Sequence, residues 1–217
     1  MVIASIKEGC TRIEAEIAEA ESKTSGEIVV VVARQAGHYE REASLVAFAA
    51  ALVAYLASWM ALEFWSRQSA RSELWLIWSF AALLAGYAGG LVVAHLVPVV
   101  PMLLVSRQRR THAVEERAAV AFHDLHVSNT RAHTGILLLV AEAERMVVVL
   151  GDGPIADRIG QEEWNGVRDR VLEGMRNRKH VDGLVAGVQR AGELLTLHFP
   201  AAEAAEKELA NTVYLIP

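Results

Sequence analysis

The sequence predicts an α/β sandwich interrupted by a transmembrane helical hairpin. Three observations carry this. Residues 27–33, "EIVVVVA", are apolar on both strand faces, as in a strand covered by helices on both sides. Residues 135–141, "GILLLVA", and 145–151, "RMVVVLG", read as two further strands of the same kind. Between the first strand and the others lie two uncharged runs, residues 43–62 over 20 positions and residues 74–106 over 33. A helix needs ~20 apolar residues to cross the hydrocarbon core. The predicted boundaries are therefore 1–41 for the first part of the folded domain, 42–106 for the hairpin, 107–200 for the rest of the domain and 201–217 for a tail.

The elements follow in order. Residues 2–22 alternate apolar and acidic positions at helical spacing, with no continuous apolar stretch of the kind that opens a signal peptide. Cys10 falls in line with Ile3, Ile6, Ile13 and Ile17, so it reads as a small packed residue. As the single cysteine, it excludes an intramolecular disulfide. The net charge of −5 gives no reason to expect nucleic acid as a partner. Hydrophobic residues make up 53% of the chain, and the excess sits in the two uncharged runs.

Trp59, Trp65, Trp75 and Trp78 surround the turn between the runs, as indole rings do at a membrane–water interface. The turn carries Arg67 and Arg71. The outer flanks carry Lys23, Arg34, Arg41, Arg107, Arg109, Arg110 and Arg117. Seven basic residues against two predict both flanks, and the folded domain with them, on the cytoplasmic side of an inner membrane. Arg107, Arg109 and Arg110 thus read as interface residues that fix topology, with anionic lipid as an alternative partner. Pro98 and Pro101 are expected to end or kink the second span.

The second span carries Ala82, Gly86, Gly90 and Ala94 four residues apart, and the first carries Ala50 and Ala54 at similar spacing. Small residues let helix backbones approach closely in lipid. The two stripes either face each other or dock a foreign helix, and the first is the simpler reading. Partner contact would then use the bulkier face with Leu83, Tyr87 and Leu91. His95 lies inside the apolar run. It is either a tetrapyrrole ligand or, lying beside Pro98, hydrogen-bonded to a free carbonyl, the second being favoured.

Beyond the hairpin, residues 107–126 read as a helix with Val114, Ala118, Ala121, Phe122 and Leu125 on one side. Glu142, Ala143 and Glu144 join the two later strands as an antiparallel hairpin. A helix is expected from about Ile155 or Gln161 to Arg178, with Trp164, Val167, Val171, Leu172 and Met175 turned inward. Asp182 is placed to cap the next helix. The tail "TVYLIP" is apolar enough to dock or to form an edge strand.

"TSGEIVVVVA", "TGILLLVAEAERMVVVLGDG" and "DGLVAGVQRAGELL", in that order, resemble the TPM domain, named for thylakoid, phosphatase and membrane. The resemblance covers residues 1–35 and about 107–200. A closer likeness is to bacterial membrane proteins whose TPM domain carries a two-helix insertion and ends "HFP…EL", as at His198–Pro200 and Glu208–Leu209. It implies a three-layer α/β/α fold. It also implies links to photosystem repair or assembly, to calcium binding or acid phosphatase activity, or to ion-channel regulation.

Asp182 matches the family's acidic "GDY" position, although the aromatic is missing. The acidic residue usual after the "G-x-G-L" turn has no counterpart, since Gly160 and Gln161 stand there. Calcium normally takes six or more oxygen ligands, and only Asp152, Asp157 and Asp182 offer themselves. Turn and cap roles are favoured for Asp152 and Asp182. His123 and His126 are spaced i, i+3, as in the start of a zinc site, with no third ligand at diagnostic spacing. No nucleophile elbow, phosphate loop or H-E-x-x-H motif is present.

The expected function is a non-catalytic accessory, assembly or stabilising subunit of a larger membrane complex. A photosynthetic complex is one candidate host, and membrane lipids and complex subunits are the partners. A calcium-dependent acid phosphatase and a lone lipid-binding protein are the alternatives. No cofactor is certain, and calcium is the one the resemblance implies.

Overall fold

The computed structural model describes residues 2–66, 75–97, 99–131, 133–201 and 208–216. Chain order is α1 (Val2–Glu21), β1 (Glu27–Ala33), α2 (Glu40–Ser66), α3 (Trp75–Leu96), α4 (Val99–Met102), α5 (Arg107–Asp124), a 3-10 turn (Val127–Asn129), β2 (Gly135–Ala141), β3 (Met146–Gly151), α6 (Gly153–Arg158), α7 (Gln161–Arg176), α8 (His180–His198) and β4 (Val213–Ile216). The chain divides into two compact units. One is Met1–Gly37 together with Arg110–Pro217, and the other is His38–Arg109.

The first unit is built on a four-stranded sheet of order β3-β2-β1-β4. β1 runs parallel to β2 from Glu27 opposite Gly135 to Ala33 opposite Ala141. It also runs parallel to β4, from Val30 opposite Val213 to Ala33 opposite Ile216. β2 and β3 are antiparallel. The sheet is therefore mixed, and the strand before the apolar hairpin pairs with strands that follow it by a hundred residues or more.

Every residue of β1 and β2 is buried, because both strands are internal and covered on both faces. Strand alternation divides them between two cores. Ile28, Val30, Val32, Ile136, Leu138 and Val140 pack with Ile6, Ile13 and Ile17 of α1 and with apolar residues of α7 and α8. Val29, Val31, Leu137 and Leu139 pack with Val114, Ala118 and Ala121 of α5. The result is a three-layer α/β/α sandwich. Each fully buried aliphatic side chain contributes about 1.5–3 kcal/mol relative to exposure, so the sheet's two faces are the main source of stability here. Cys10 is half-buried against the first core. Burial, with the charge of Glu14 adding to it, pushes its thiol pKa up, which suits a packing residue rather than a nucleophile.

Local backbone chemistry moves several element ends. The helix expected over residues 107–126 stops at Asp124, and His126 takes a left-handed conformation with φ 55°. Of the two starts expected for the helix that runs towards Arg178, Gln161 is the observed one; Ile155 lies in a separate short helix, α6, divided from α7 at Ile159–Gly160. The Glu163 carboxylate accepts the Gly160 N–H at 3.1 Å and so fixes the start of α7. α7 ends at Arg176, and Arg178 turns left-handed at φ 60°. α8 begins at His180, with Lys179 at the capping position and no side-chain cap. α7 and α8 then meet backbone to backbone, since a Cβ on Gly174 would stand 2.3 Å from the Gly183 Cα. The apolar tail forms the edge strand β4.

In the second unit α2 and α3 lie side by side. Both are long and apolar enough to cross a membrane, and both are candidate membrane spans. Small residues bring them together. Ala47, Ala51 and Ala94 are buried, and Gly90 stands so close to Ala47 that an added Cβ would be 2.6 Å from the Ala47 Cα. The large apolar side chains point outward, with Phe48 67% and Phe80 63% exposed. A soluble helix pair buries its large residues and exposes polar ones; this pair does the opposite. α3 stops at Leu96, two residues before Pro98, which itself lies outside the described residues; Pro101 is buried within α4.

Candidate functional site

The predicted site residues fall on the hairpin and on the helices and helix starts of the α/β unit. On the hairpin, Gly86 and Gly90 face α2. A Cβ on Gly86 would lie 2.6 Å from the Ala54 Cβ and 2.9 Å from the Ala50 carbonyl oxygen, and one on Gly90 would lie 2.9 Å from the Ala50 Cβ. Ala82 is half-buried and Ala94 buried on the same helix. The structure also brings in Ala47 and Ala51, which the sequence reading did not single out. Leu83 and Tyr87 are exposed and Leu91 is half-buried.

The contacts of Gly90 with Ala47 and of Gly86 with Ala51 set an antiparallel register. Twelve residues along each helix from the Gly90–Ala47 contact, that register puts Trp78 level with Trp59. Both tryptophans are exposed. The side chains of Trp65 and Trp75, and all of Arg67 and Arg71, lie outside the described residues. Five residues the other way, the register puts His95 level with Glu42. His95 is exposed, and its Nδ1 lies 3.0 Å from the Leu91 carbonyl oxygen. A nitrogen facing a carbonyl must donate, so Nδ1 carries the proton and the ring is held along its own helix.

The buried Glu42 carboxylate pairs with the Arg109 guanidinium, so a residue at the start of α2 holds one at the start of α5. Arg107 is exposed and Arg110 is half-buried on the same helix. Sequence reading placed Arg109 at an interface and missed Glu42 as its partner.

In the α/β unit the three nominated acids have separate tasks. Asp152 caps α6, its Oδ1 accepting the Gly153 N–H at 2.8 Å. Its Oδ2 lies 3.1 Å from the His133 Nδ1. Asp182, expected as a helix cap, instead sits in the first turn of α8 and accepts from Arg12 at 2.6 Å. Asp157 is exposed on α6. No group of three or more His, Cys, Asp or Glu side chains able to hold a metal occurs among the described residues. His123 and His126 do not share a helix face, because the helix ends between them.

These placements predict small effects. Asp152→Ala removes a cap and lowers stability by about 1 kcal/mol. Asp182→Asn removes an exposed ion pair and costs less than about 1 kcal/mol. Thermal melts with and without calcium check both. A calcium-dependent rise in the wild-type midpoint that either variant abolishes contradicts the assignment.

The acids that organise the unit are others. Glu144 is buried, and its Oε1 accepts the N–H groups of Ala36 at 3.0 Å and Gly37 at 3.3 Å. It thereby fixes the chain where it leaves β1. At the opposite end of that strand, Glu21 accepts the Ile28 N–H at 2.9 Å and Glu27 accepts the Glu208 N–H at 2.8 Å. The Glu208 carboxylate in turn accepts the Arg131 N–H at 3.2 Å. Their signal in the sequence is weak, because a Glu that binds backbone amides looks the same as one on a solvated face.

The family model described as TPM domain matches residues 96–194. No curated protein matches the chain. Among solved structures, the chain resembles the NMR structure of the BA42 protein from the psychrophilic bacterium Bizionia argentinensis. The two are 21% identical, with a TM-score of 0.58 over 96% of this chain and 92% of that one. At that identity the likeness speaks to the fold.

Proposed function

We propose that the chain, whose residues 96–194 match the TPM domain model, is a membrane-anchored, non-catalytic accessory subunit that helps to assemble or brace a larger membrane complex. The observation that carries this reading is the place of the hairpin. An anchor alone would serve at either end of a domain. Here the hairpin is inserted between β1 and its sheet partners, and Glu144 fixes the exit from β1 at Ala36 and Gly37. The outward display of large apolar side chains along α2 and α3 supports lipid and neighbouring subunits as what surrounds them. The nominated acids serve as a cap, an ion pair and an exposed side chain, which favours a structural role over a phosphatase. The two-helix insertion accords with the membrane-protein subgroup of TPM proteins.

The basic residues support an orientation with both termini and the α/β unit in the cytoplasm, seven flanking residues against two in the turn. In a Cys10→Ser background, single cysteines at Ser69 and after Pro217 should be labelled from opposite sides of intact cells. Labelling of the C-terminal cysteine from outside contradicts the orientation.

Gentle detergent extraction, followed by identification of what co-purifies, tests the accessory role. A defined membrane complex, photosynthetic or other, is the expected result. The doubly substituted Leu83→Ala, Leu91→Ala protein should fold normally and lose that association, because it removes bulk from the face that the small residues leave free. Unchanged association in the double variant rules out this face. Recovery of the protein alone under the gentlest conditions rules out the subunit reading.

A further inference from the structure

We propose that the segment Val99–Leu104 is a second membrane contact, an interfacial wedge that lies among anionic phospholipid headgroups at the root of the hairpin. The inference rests on the membrane reading of α2 and α3.

The register between α2 and α3 fixes the level. It puts Glu42 opposite His95, so the charged first turn of α2 (Glu40, Arg41 and Glu42) is level with the end of α3. Charged side chains at the root of a span mark the polar edge of the bilayer. The chain stays apolar past this level. α4 packs against α2 and α3, with Pro101 and Met102 buried and Val105 buried just beyond. Its other side is open: Val99, Leu103 and Leu104 are exposed, Leu103 at 80%. The next helix begins at once with Arg107, which is exposed, and with Arg109, which is held at this level by Glu42.

The layout is that of an in-plane interfacial segment. Its apolar face reaches the acyl boundary while cationic side chains beside it meet phosphate. In water three adjacent exposed leucines and valines gain nothing. Deep in the hydrocarbon the arginines would be costly. Only the headgroup layer suits both. Of the basic residues at the start of α5, Arg109 is already paired and Arg110 is half-buried, so Arg107 is the exposed one left to take a lipid phosphate, and each basic residue near an anionic surface adds attraction that salt weakens. The bilayer surface, rather than a partner helix, is the occupant because this apolar face is continuous with the lipid-facing side of the spans and its flank is positively charged.

The test uses the full chain in a Cys10→Ser background, reconstituted into vesicles of phosphatidylcholine with or without phosphatidylglycerol. Spin labels are placed one at a time at Leu103, at Leu104, at Val53 within α2 and at Lys7 on α1. Relaxation by oxygen and by a nickel chelate reports depth. The expected result is an oxygen-to-nickel accessibility ratio at Leu103 and Leu104 severalfold above that of Lys7 and below that of Val53. The ratio should rise with phosphatidylglycerol, and Arg107→Glu should cancel that rise.

Nickel accessibility at both leucines equal to that of Lys7, with Val53 in lipid, overturns the wedge and leaves the spans standing. An aqueous signal at Val53 overturns both. Labels that neither relaxant reaches would show protein on this face and overturn lipid as its occupant. A depth indifferent to phosphatidylglycerol overturns the role of Arg107.

Discussion

Gly90→Leu should unfold the helix pair, and Gly89→Leu, one residue away, should do nothing. A Cβ at position 90 would stand 2.6 Å from the Ala47 Cα and 2.9 Å from the Ala50 Cβ, whereas one at Gly89 meets nothing within 4 Å. The obstacle at position 90 is backbone, which cannot rotate away. Overpacking of this kind costs about 1–3 kcal/mol and occasionally more. In lipid or detergent no hydrophobic drive between helices offsets the loss, since close packing is itself the attraction. Gly86→Leu should behave like Gly90→Leu, because its Cβ would meet the Ala54 Cβ at 2.6 Å. Thermal denaturation in detergent reads the effect. Equal midpoints for the position 89 and 90 variants contradict the packing.

Glu144→Ala should loosen the exit from β1. Two backbone amides, those of Ala36 and Gly37, lose their acceptor together. An unsatisfied buried donor costs about 1–3 kcal/mol. Because both residues are half-buried and water can replace part of the bond, the expected total loss is about 1–3 kcal/mol rather than twice that. Glu144→Gln keeps a carbonyl acceptor and should fall between wild type and Glu144→Ala. Thermal melts give the ranking, and amide exchange at Ala36 and Gly37 locates the damage. If Glu144→Ala melts with wild type while those amides stay protected, the connection is held by something else.

These two sites differ in how visible they were beforehand. The glycine stripe was legible because small residues four apart on an apolar helix have few other uses. The strands were legible because runs such as "IVVVV" have nowhere to go but a covered sheet. Glu144 was not legible. It stands 108 positions from Ala36, and its neighbours Glu142 and Arg145 make the turn look like ordinary solvated charge. Glu42 and Arg109 are 67 positions apart, and each alone reads as a flank charge.

The misplaced helix ends have a common cause. His126 and Arg178 turn left-handed without a glycine. Periodicity cannot see such stops, because the apolar spacing continues across them. By residue type Asp182 reads as a cap. The capping position lies three residues earlier, at Lys179, which frees the Asp182 carboxylate for Arg12 on α1.

The central claim is that one sheet is completed across the hairpin: β1, before it, is an internal strand between β2 and β4, which come after it. Hydrogen exchange of the intact protein in detergent tests this most directly. Residues 27–33 pair on one side with residues 135–141, and residues 30–33 pair on the other with residues 213–216. Their amides should therefore exchange as slowly as those of 135–141, and the two segments should lose protection together as denaturant is added. Free exchange at 27–33 while 135–141 remains protected would contradict the account, since it would leave β1 outside the sheet and the hairpin at the edge of a domain rather than within one.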